Sequence, residues 1–278
     1  MKSNKWYGSA GKCFIFIIFC IAAAAVIIPL IWLLVSSLKN NTEFLSDPWG
    51  LPETLNFGNY IYAVKYGVGR YFLNSVLVTG CAVILTVFFS ALASYVLARF
   101  RFKGRNLVFI FILGGMMISP EVNLVSLFKL LQSLRLYNTH AGLIITYSVF
   151  QFSFTVLLMR SYMLSMSESI EESAFLDGCS TFKVFLYIVV PVCRPVLASG
   201  ALFALMNNWN EFMFATVFIE SDRLKTIPVG LVTLQAALKT NYPVLISGLV
   251  ISAGVGITAF LIFQKQFIRG LTQGSVKG

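Results

Sequence analysis

A chain of 278 residues in which 58% are hydrophobic and only 12% charged is unlike a soluble domain, where about a quarter of residues are charged. The mean hydropathy of +0.82 excludes a soluble enzyme and places the chain in a lipid membrane. The net charge of +10 does not call for nucleic acid, because Lys and Arg accumulate in the cytoplasmic loops of membrane proteins.

A bilayer core about 30 Å thick requires about 20 apolar residues per helix. That length predicts six transmembrane helices, at 13–36, 72–98, 106–128, 142–163, 193–219 and 244–265. The first follows Lys2, Lys5 and Lys12 and is too long for the hydrophobic stretch of a signal peptide, so it is expected to remain as a span. The third is interrupted by Pro120, Glu121 and Asn123 ahead of an amphipathic run, Leu124 to Leu134. With both termini inside, the inner segments hold thirteen of the 21 basic residues: Lys2, Lys5, Lys12, Arg99, Arg101, Lys103, Arg105, Arg160, Lys183, Arg194, Lys265, Arg269 and Lys277. The densest run, "RFRFKGR" from Arg99 to Arg105, falls in the shortest loop, where the rule is most reliable. No internal repeat is apparent, and a single membrane domain, 1–278, is expected.

Five cysteines, Cys13, Cys20, Cys81, Cys179 and Cys193, form no Cys-x-x-Cys pair, so neither disulfides nor a metal site is expected. His140, the single histidine, falls in a short outer loop and reads as a solvated residue.

The cytoplasmic segment between spans four and five, about 165–191, is more polar than its surroundings. Met166, Ile170 and Ala174 recur every four residues, with Glu168, Glu171 and Glu172 elsewhere, as on a surface helix. Asp177 and Gly178 then break the pattern, since glycine tolerates positive φ and ends helices. Ser180 or Thr181 can cap a second helix that returns to the membrane at Pro191. Two readings fit: a bent hairpin gripped by a soluble partner, or an amphipathic helix lying on the bilayer.

Glu172-Ser173-Ala174, three residues, Gly178, nine residues and Ile188-Val189-Val190-Pro191 resembles the "EAA, three, G, nine, I-x-L-P" loop of permease subunits in binding-protein-dependent ABC importers. Ser173 and Val190 depart mildly from that pattern. "LRLYNTHAGLI", "NNWNEFMFA" and "FIRGLTQGSVKG" are similar to the carbohydrate branch of the family, specifically its smaller, maltose-type permease. The resemblance implies an all-α, six-span fold in a bacterial plasma membrane. It also implies a homologous permease partner, two ATPase subunits below, and an extracellular or periplasmic sugar-binding protein above. Glu172, Ser173, Ala174, Asp177, Gly178, Ile188 and Pro191 would then form the coupling helix that meets an ATPase. ATP and Mg would be bound by those partner chains, since this sequence lacks a G-x-x-x-x-G-K-[ST] loop and is expected to be non-catalytic, with no cofactor of its own.

In "NNWNE", Asn207, Asn210 and Glu211 stand at i, i+3 and i+4. Polar groups at membrane depth usually face the bundle interior or a water-filled cavity, so this face either lines the sugar path or packs on the partner permease. Glu121 with Asn123 offers the same choice. The outer loop from Glu220 to Tyr242 either faces the binding protein or simply connects, and the basic tail after Phe267 either touches the ATPases or is disordered. The rival function is an ion-coupled carrier using Glu121 or Glu211 for its proton, although the expected internal repeat is missing. An intramembrane hydrolase lacks a His-Glu-x-x-His pattern. Which sugar is carried is not legible.

Overall fold

The computed structural model describes residues 9–238 and 241–273, with side chains over 11–238 and 241–265. Among them there are fourteen α-helices and no strand: α1 Ser9–Ser37, α2 Asn41–Ser46, α3 Gly58–Ala63, α4 Gly69–Arg99, α5 Arg105–Gly114, α6 Pro120–Ser133, α7 His140–Ser165, α8 Ser169–Leu176, α9 Thr181–Val184, α10 Val190–Val192, α11 Arg194–Trp209, α12 Met213–Phe218, α13 Ile227–Leu238 and α14 Tyr242–Gln273. The charges expected at Lys2, Lys5 and Lys277 lie outside the described residues, as does the end of the basic tail.

Four segments are long and apolar enough to cross a bilayer: Gly11–Ser37, Gly58–Arg99, His140–Ser165 and Tyr242–Lys265, the second of them kinked at Gly67, where φ is +118°. The other two predicted spans are bent. Arg105–Met117 meets Pro120–Ser133 at 100°, and Thr181–Val192 meets Arg194–Trp209 at 76°. At the first bend the cause is local: Pro120 disfavours helical geometry in the residue before it, and Ser119 is extended, with ψ 136°. Span five ends early. Its helix stops at Trp209 and a new one starts at Met213, where a single run to 219 was expected.

The described residues divide into two compact units, one of 9–68 with 233–238 and 241–252 and the other of 69–232 with 253–273. In the first, the turn after α1 is held by backbone carbonyls. Asn59 Nδ2 donates to Ser37 O at 2.8 Å and Lys39 O at 2.9 Å, and the fully buried Lys39 donates its Nζ to Asp47 O at 2.6 Å. Trp32 Nε1 donates to Pro48 O at 2.9 Å, so the loop folds back on the helix that precedes it.

In the second unit, α4 and α7 run side by side and parallel. Thr86, Ser90 and Ser94 donate to the carbonyls of Ser148, Phe152 and Val156, each pair separated by 62 residues. Ser148 Oγ reaches Ala82 O in return at 3.2 Å. Small residues every fourth position let two backbones approach closely, and cross-helix hydroxyl bonds supplement that packing in lipid, where no hydrophobic drive brings helices together. Gly200 on α11 extends the theme: a Cβ there would stand 3.0 Å from Thr155 Cγ2 and 3.1 Å from Met159 Cε.

The loop before α13 is pinned to this pair. Tyr71 donates to both carboxyl oxygens of Asp222 at 3.0 and 3.1 Å, and Asn74 Nδ2 donates to the carbonyls of Arg223 and Lys225. His140 is half-buried with Nε2 3.0 Å from Leu224 O. It is therefore a tether and not the solvated residue its isolation suggested.

Candidate functional site

The segment 165–191 is a bent hairpin. Its first arm, α8, starts at Ser169, four residues later than the periodicity suggested, and ends where Gly178 adopts φ +80°. The second arm begins after Ser180, which holds the extended cap conformation (ψ 154°) without a side-chain cap bond. It continues through α9, a wide turn over Phe185–Val189 and α10. No neighbouring atom stands within 4 Å of where a Gly178 Cβ would lie, so the bend needs glycine for its torsion and not for space.

The hairpin is bolted to the bundle at its base. Ala174, Val184, Phe185 and Val189 pack with Ala91, Tyr95 and Ala98 of α4, with Met159, Tyr162 and Met163 of α7, and with Val196 of α11. In the same place Arg99, the last residue of α4, donates Nε to Glu171 Oε1 at 2.7 Å and Nη2 to Met166 O at 3.4 Å. Both side chains are nearly inaccessible, 9% and 5% exposed. Arg99 Nη1 also lies 3.8 Å from the largely exposed Glu168. Glu171 therefore does not face water as the surface-helix pattern suggested. It stands three residues before buried Ala174 and so shares its face, which was the signal available in the sequence.

The residues predicted for coupling fall into two groups. Ala174 is buried, while Ile188 and Pro191 are half-buried, with Ile188 packed against the bundle core. Glu172, Ser173, Asp177 and Gly178 are exposed. Beside them, Leu176 is 89% and Phe182 66% exposed, with Ile170 at 50%. These large apolar side chains stand uncovered beside the bend.

The second site lies at the break after α11. Glu211 ends the helix and starts the next: its Oε1 accepts from Phe214 N at 2.7 Å and its Oε2 from Ala215 N at 3.1 Å. Tyr147 of α7 donates its hydroxyl to the same carboxyl at 2.6 Å. Backbone N–H groups left unpaired at a helix start favour such an acceptor. The predicted i, i+3, i+4 face is thereby dissolved. Asn210 sits in the break, exposed, its Nδ2 donating to Met206 O at 2.7 Å, and it does not join the others. Asn207 and Glu211 do line a common cleft of about 360 Å³, together with Glu121, Tyr147, Gln151 and Asn208. Glu121 accepts from Ser119 Oγ. Asn123 lines a different, mainly apolar cleft beside Phe111 and Phe152.

A polytopic helical membrane protein with two bent spans, a docked hairpin and a polar cleft at a helix break has the architecture of a transport subunit. Residues 87–273 match the family described as "Binding-protein-dependent transport system inner membrane component", and the chain belongs to that family. It is 43% identical over 275 residues to the probable ABC transporter permease protein YurM of Bacillus subtilis, covering 99% of this chain and 91% of that one. It is 35% identical to the arabinooligosaccharides transport system permease protein AraQ of the same organism, covering 94% of each. Among solved structures, a chain of a bacterial ABC transporter involved in the import of the acidic polysaccharide alginate superposes with a TM-score of 0.81. That match covers 95% of this chain and all of the other at 21% identity, a likeness of fold. The protein is thus an ABC transporter permease, a transport component and not an enzyme. None of these relatives supports the ion-coupled carrier, and the Glu211 carboxyl such a carrier would use is engaged by three donors.

Proposed function

We propose that this chain forms half of the membrane path of an ATP-driven sugar importer, pairing with a homologous permease, two ATPase subunits that bind ATP and Mg, and an external sugar-binding protein. The name of the probable permease YurM supports the transporter class, and the name of the arabinooligosaccharides permease, with the carbohydrate-type motifs, supports a saccharide cargo. The basic loop Arg99–Arg105 supports placing the hairpin and both termini in the cytoplasm of a bacterial cell.

The observation that carries the coupling role is the hairpin itself, fixed at its base by Arg99 and Glu171 and uncovered at its tip by Leu176 and Phe182. A knob rigidly joined to α4 transmits a partner's movement to the bundle. A helix floating on the bilayer would not. Glu172, Ser173, Asp177 and Gly178 meet the ATPase in this reading, while Ala174, Ile188 and Pro191 seat the hairpin in the membrane domain. Co-purification of the ATPase pair with tip variants tests it. Leu176→Asp is expected to release the ATPases from an intact permease pair, and unchanged co-purification and uptake would remove the coupling role.

A further inference from the structure

The turn between α4 and α5 gathers basic side chains that lack an acidic partner. Arg99 is spent on Glu171. Arg160 donates Nε to Leu97 O at 3.2 Å and holds its guanidinium 4.0 Å over the Phe109 ring, so it ties α7 to both helices that flank the turn. Arg101, Lys103 and Arg105 are left, and among the described residues none of the three meets a carboxylate.

These three line one cleft of about 520 Å³, together with Asn106 and Leu107 and with no acidic residue. Gly104, at φ +89°, makes the turn that brings Arg101 and Arg105 to the same place. Like charges gathered in one concavity repel one another, and an anion shared between them relieves that repulsion. Orientation in the membrane asks only that such charges stand in the loop. It does not ask that they share a cleft, nor that the cleft open on an apolar surface. This one does: Leu107 belongs both to the cleft and to an exposed face of α5 that continues through Ile110 and Phe111, at i, i+3 and i+4. Phe100 and Phe102, set among the basic residues, are exposed as well. The cleft stands where α4 ends at Arg99 and α5 begins at Arg105, the level at which two predicted spans leave the hydrocarbon. A negative head in a basic cup, with hydrocarbon running down the neighbouring helix, is the outline of a phospholipid and not of a free phosphate or an acidic protein segment.

We propose that this cleft binds the phosphate of an anionic phospholipid, whose acyl chains lie along Leu107, Ile110 and Phe111. Arg101 and Arg105 supply guanidinium forks matched to phosphate oxygens, and Lys103 adds a third charge. The lipid braces the end of α4 beside Arg99, the residue that joins this helix to the hairpin.

The test uses the complete importer, this chain with its partner permease, ATPases and binding protein. It is reconstituted in nanodiscs of equal parts phosphatidylglycerol and phosphatidylcholine with identical acyl chains, then released into mild detergent, and native mass spectrometry counts the lipids that stay bound. Both lipids are present in both leaflets, so the result does not depend on which way the loop faces. Phosphatidylglycerol should be retained over phosphatidylcholine by about tenfold or more, since each basic group near an anionic headgroup contributes about fivefold. Asn106→Glu places a carboxylate in the cleft while keeping every basic residue that orients the loop, and an acid in the first turn of a helix is no threat to folding. It should lose that preference, as should Arg101→Gln combined with Arg105→Gln, whereas Arg70→Gln at the opposite end of α4 should keep it. Equal retention of the two lipids by the unaltered importer, or an undiminished preference in either cleft variant, overturns the proposal. So does displacement of the lipid by excess inorganic phosphate, which would mark a soluble-anion site. Loss of the ATPases from Asn106→Glu with its lipid retained would mark a protein contact and overturn it too.

Discussion

Arg99 and Glu171 form a buried ion pair at 2.7 Å that joins the last residue of α4 to the first arm of the hairpin. Removing one member of a buried pair typically costs about 3–5 kcal/mol, because the other charge is left without its partner. Glu171→Ala should therefore lower the thermal midpoint of the purified permease. Glu172→Ala, one residue on and exposed, should leave the midpoint unchanged. Equal midpoints for the two variants would show that the pair contributes nothing to the seating of the hairpin.

At the exposed tip the expectation is reversed. A charge-assisted hydrogen bond is worth about 1.5–3 kcal/mol, so Glu172→Lys should weaken ATPase co-purification at least tenfold, and Glu168→Lys much less. Loss of the ATPases in both variants alike would mean that general charge, and not a specific contact, holds them.

Gly178 isolates torsion from space. With φ +80° and open surroundings, Gly178→Val pays the left-handed penalty of about 1–2 kcal/mol, while Gly178→Asn pays much less because asparagine tolerates that region. Uptake is expected to fall severalfold in the first and to survive in the second, with normal membrane insertion of both. Similar uptake by the two variants would take the bend out of the mechanism.

Tyr147 and Glu211 carry a prediction about architecture. Glu211→Leu removes an acceptor from two backbone N–H groups and one hydroxyl, and it should destabilise the protein by about 2–4 kcal/mol, read as a lowered thermal midpoint. Asn210→Leu, exposed in the break, should change the midpoint by less than about 0.5 kcal/mol in equivalent free energy. A large effect at Asn210 with none at Glu211 would restore the continuous helical face that the sequence suggested.

Orientation is checked by thiol labelling in intact cells, with background cysteines replaced. Thr226 is buried and its neighbour Ile227 is bonded to Ser75, so the exposed Glu220 is the better outer reporter. Glu220→Cys should react with an impermeant reagent and Cys179 only after lysis. The opposite order would invert the topology and remove the hairpin from the cytoplasm.

Length and apolarity made the membrane segments legible, and the glycine after Asp177 made the bend legible, because both signals are local in sequence. The breaks were harder to read. Pro120 announces the first, but the stop at Trp209 depends on a carboxyl that caps the next helix and on a tyrosine 64 positions away, a pairing that exists only in three dimensions. Glu171 could be told from Glu172 by its i, i+3 relation to Ala174, but the partner that holds it, Arg99, stands 72 positions away and is met only in three dimensions. Asn208 was hidden by its neighbours, since Asn207 and Asn210 appeared to belong to the same polar face.

The ladder between α4 and α7 has a kinetic consequence. Each rung spans four residues, which is about 6 Å of helix rise at 1.5 Å per residue, so sliding one helix along the other requires releasing every rung before any can re-form. Small hydroxyls locked against backbone carbonyls act as ratchet teeth without an intermediate notch, and interfaces of this kind are bistable and not continuously deformable. The two helices should therefore travel as one beam through a transport cycle, with the flexing left to the breaks at Ser119 and Asn210. A covalent cross-link between α4 and α7 is expected to leave uptake intact, and loss of uptake on cross-linking would show that the teeth disengage.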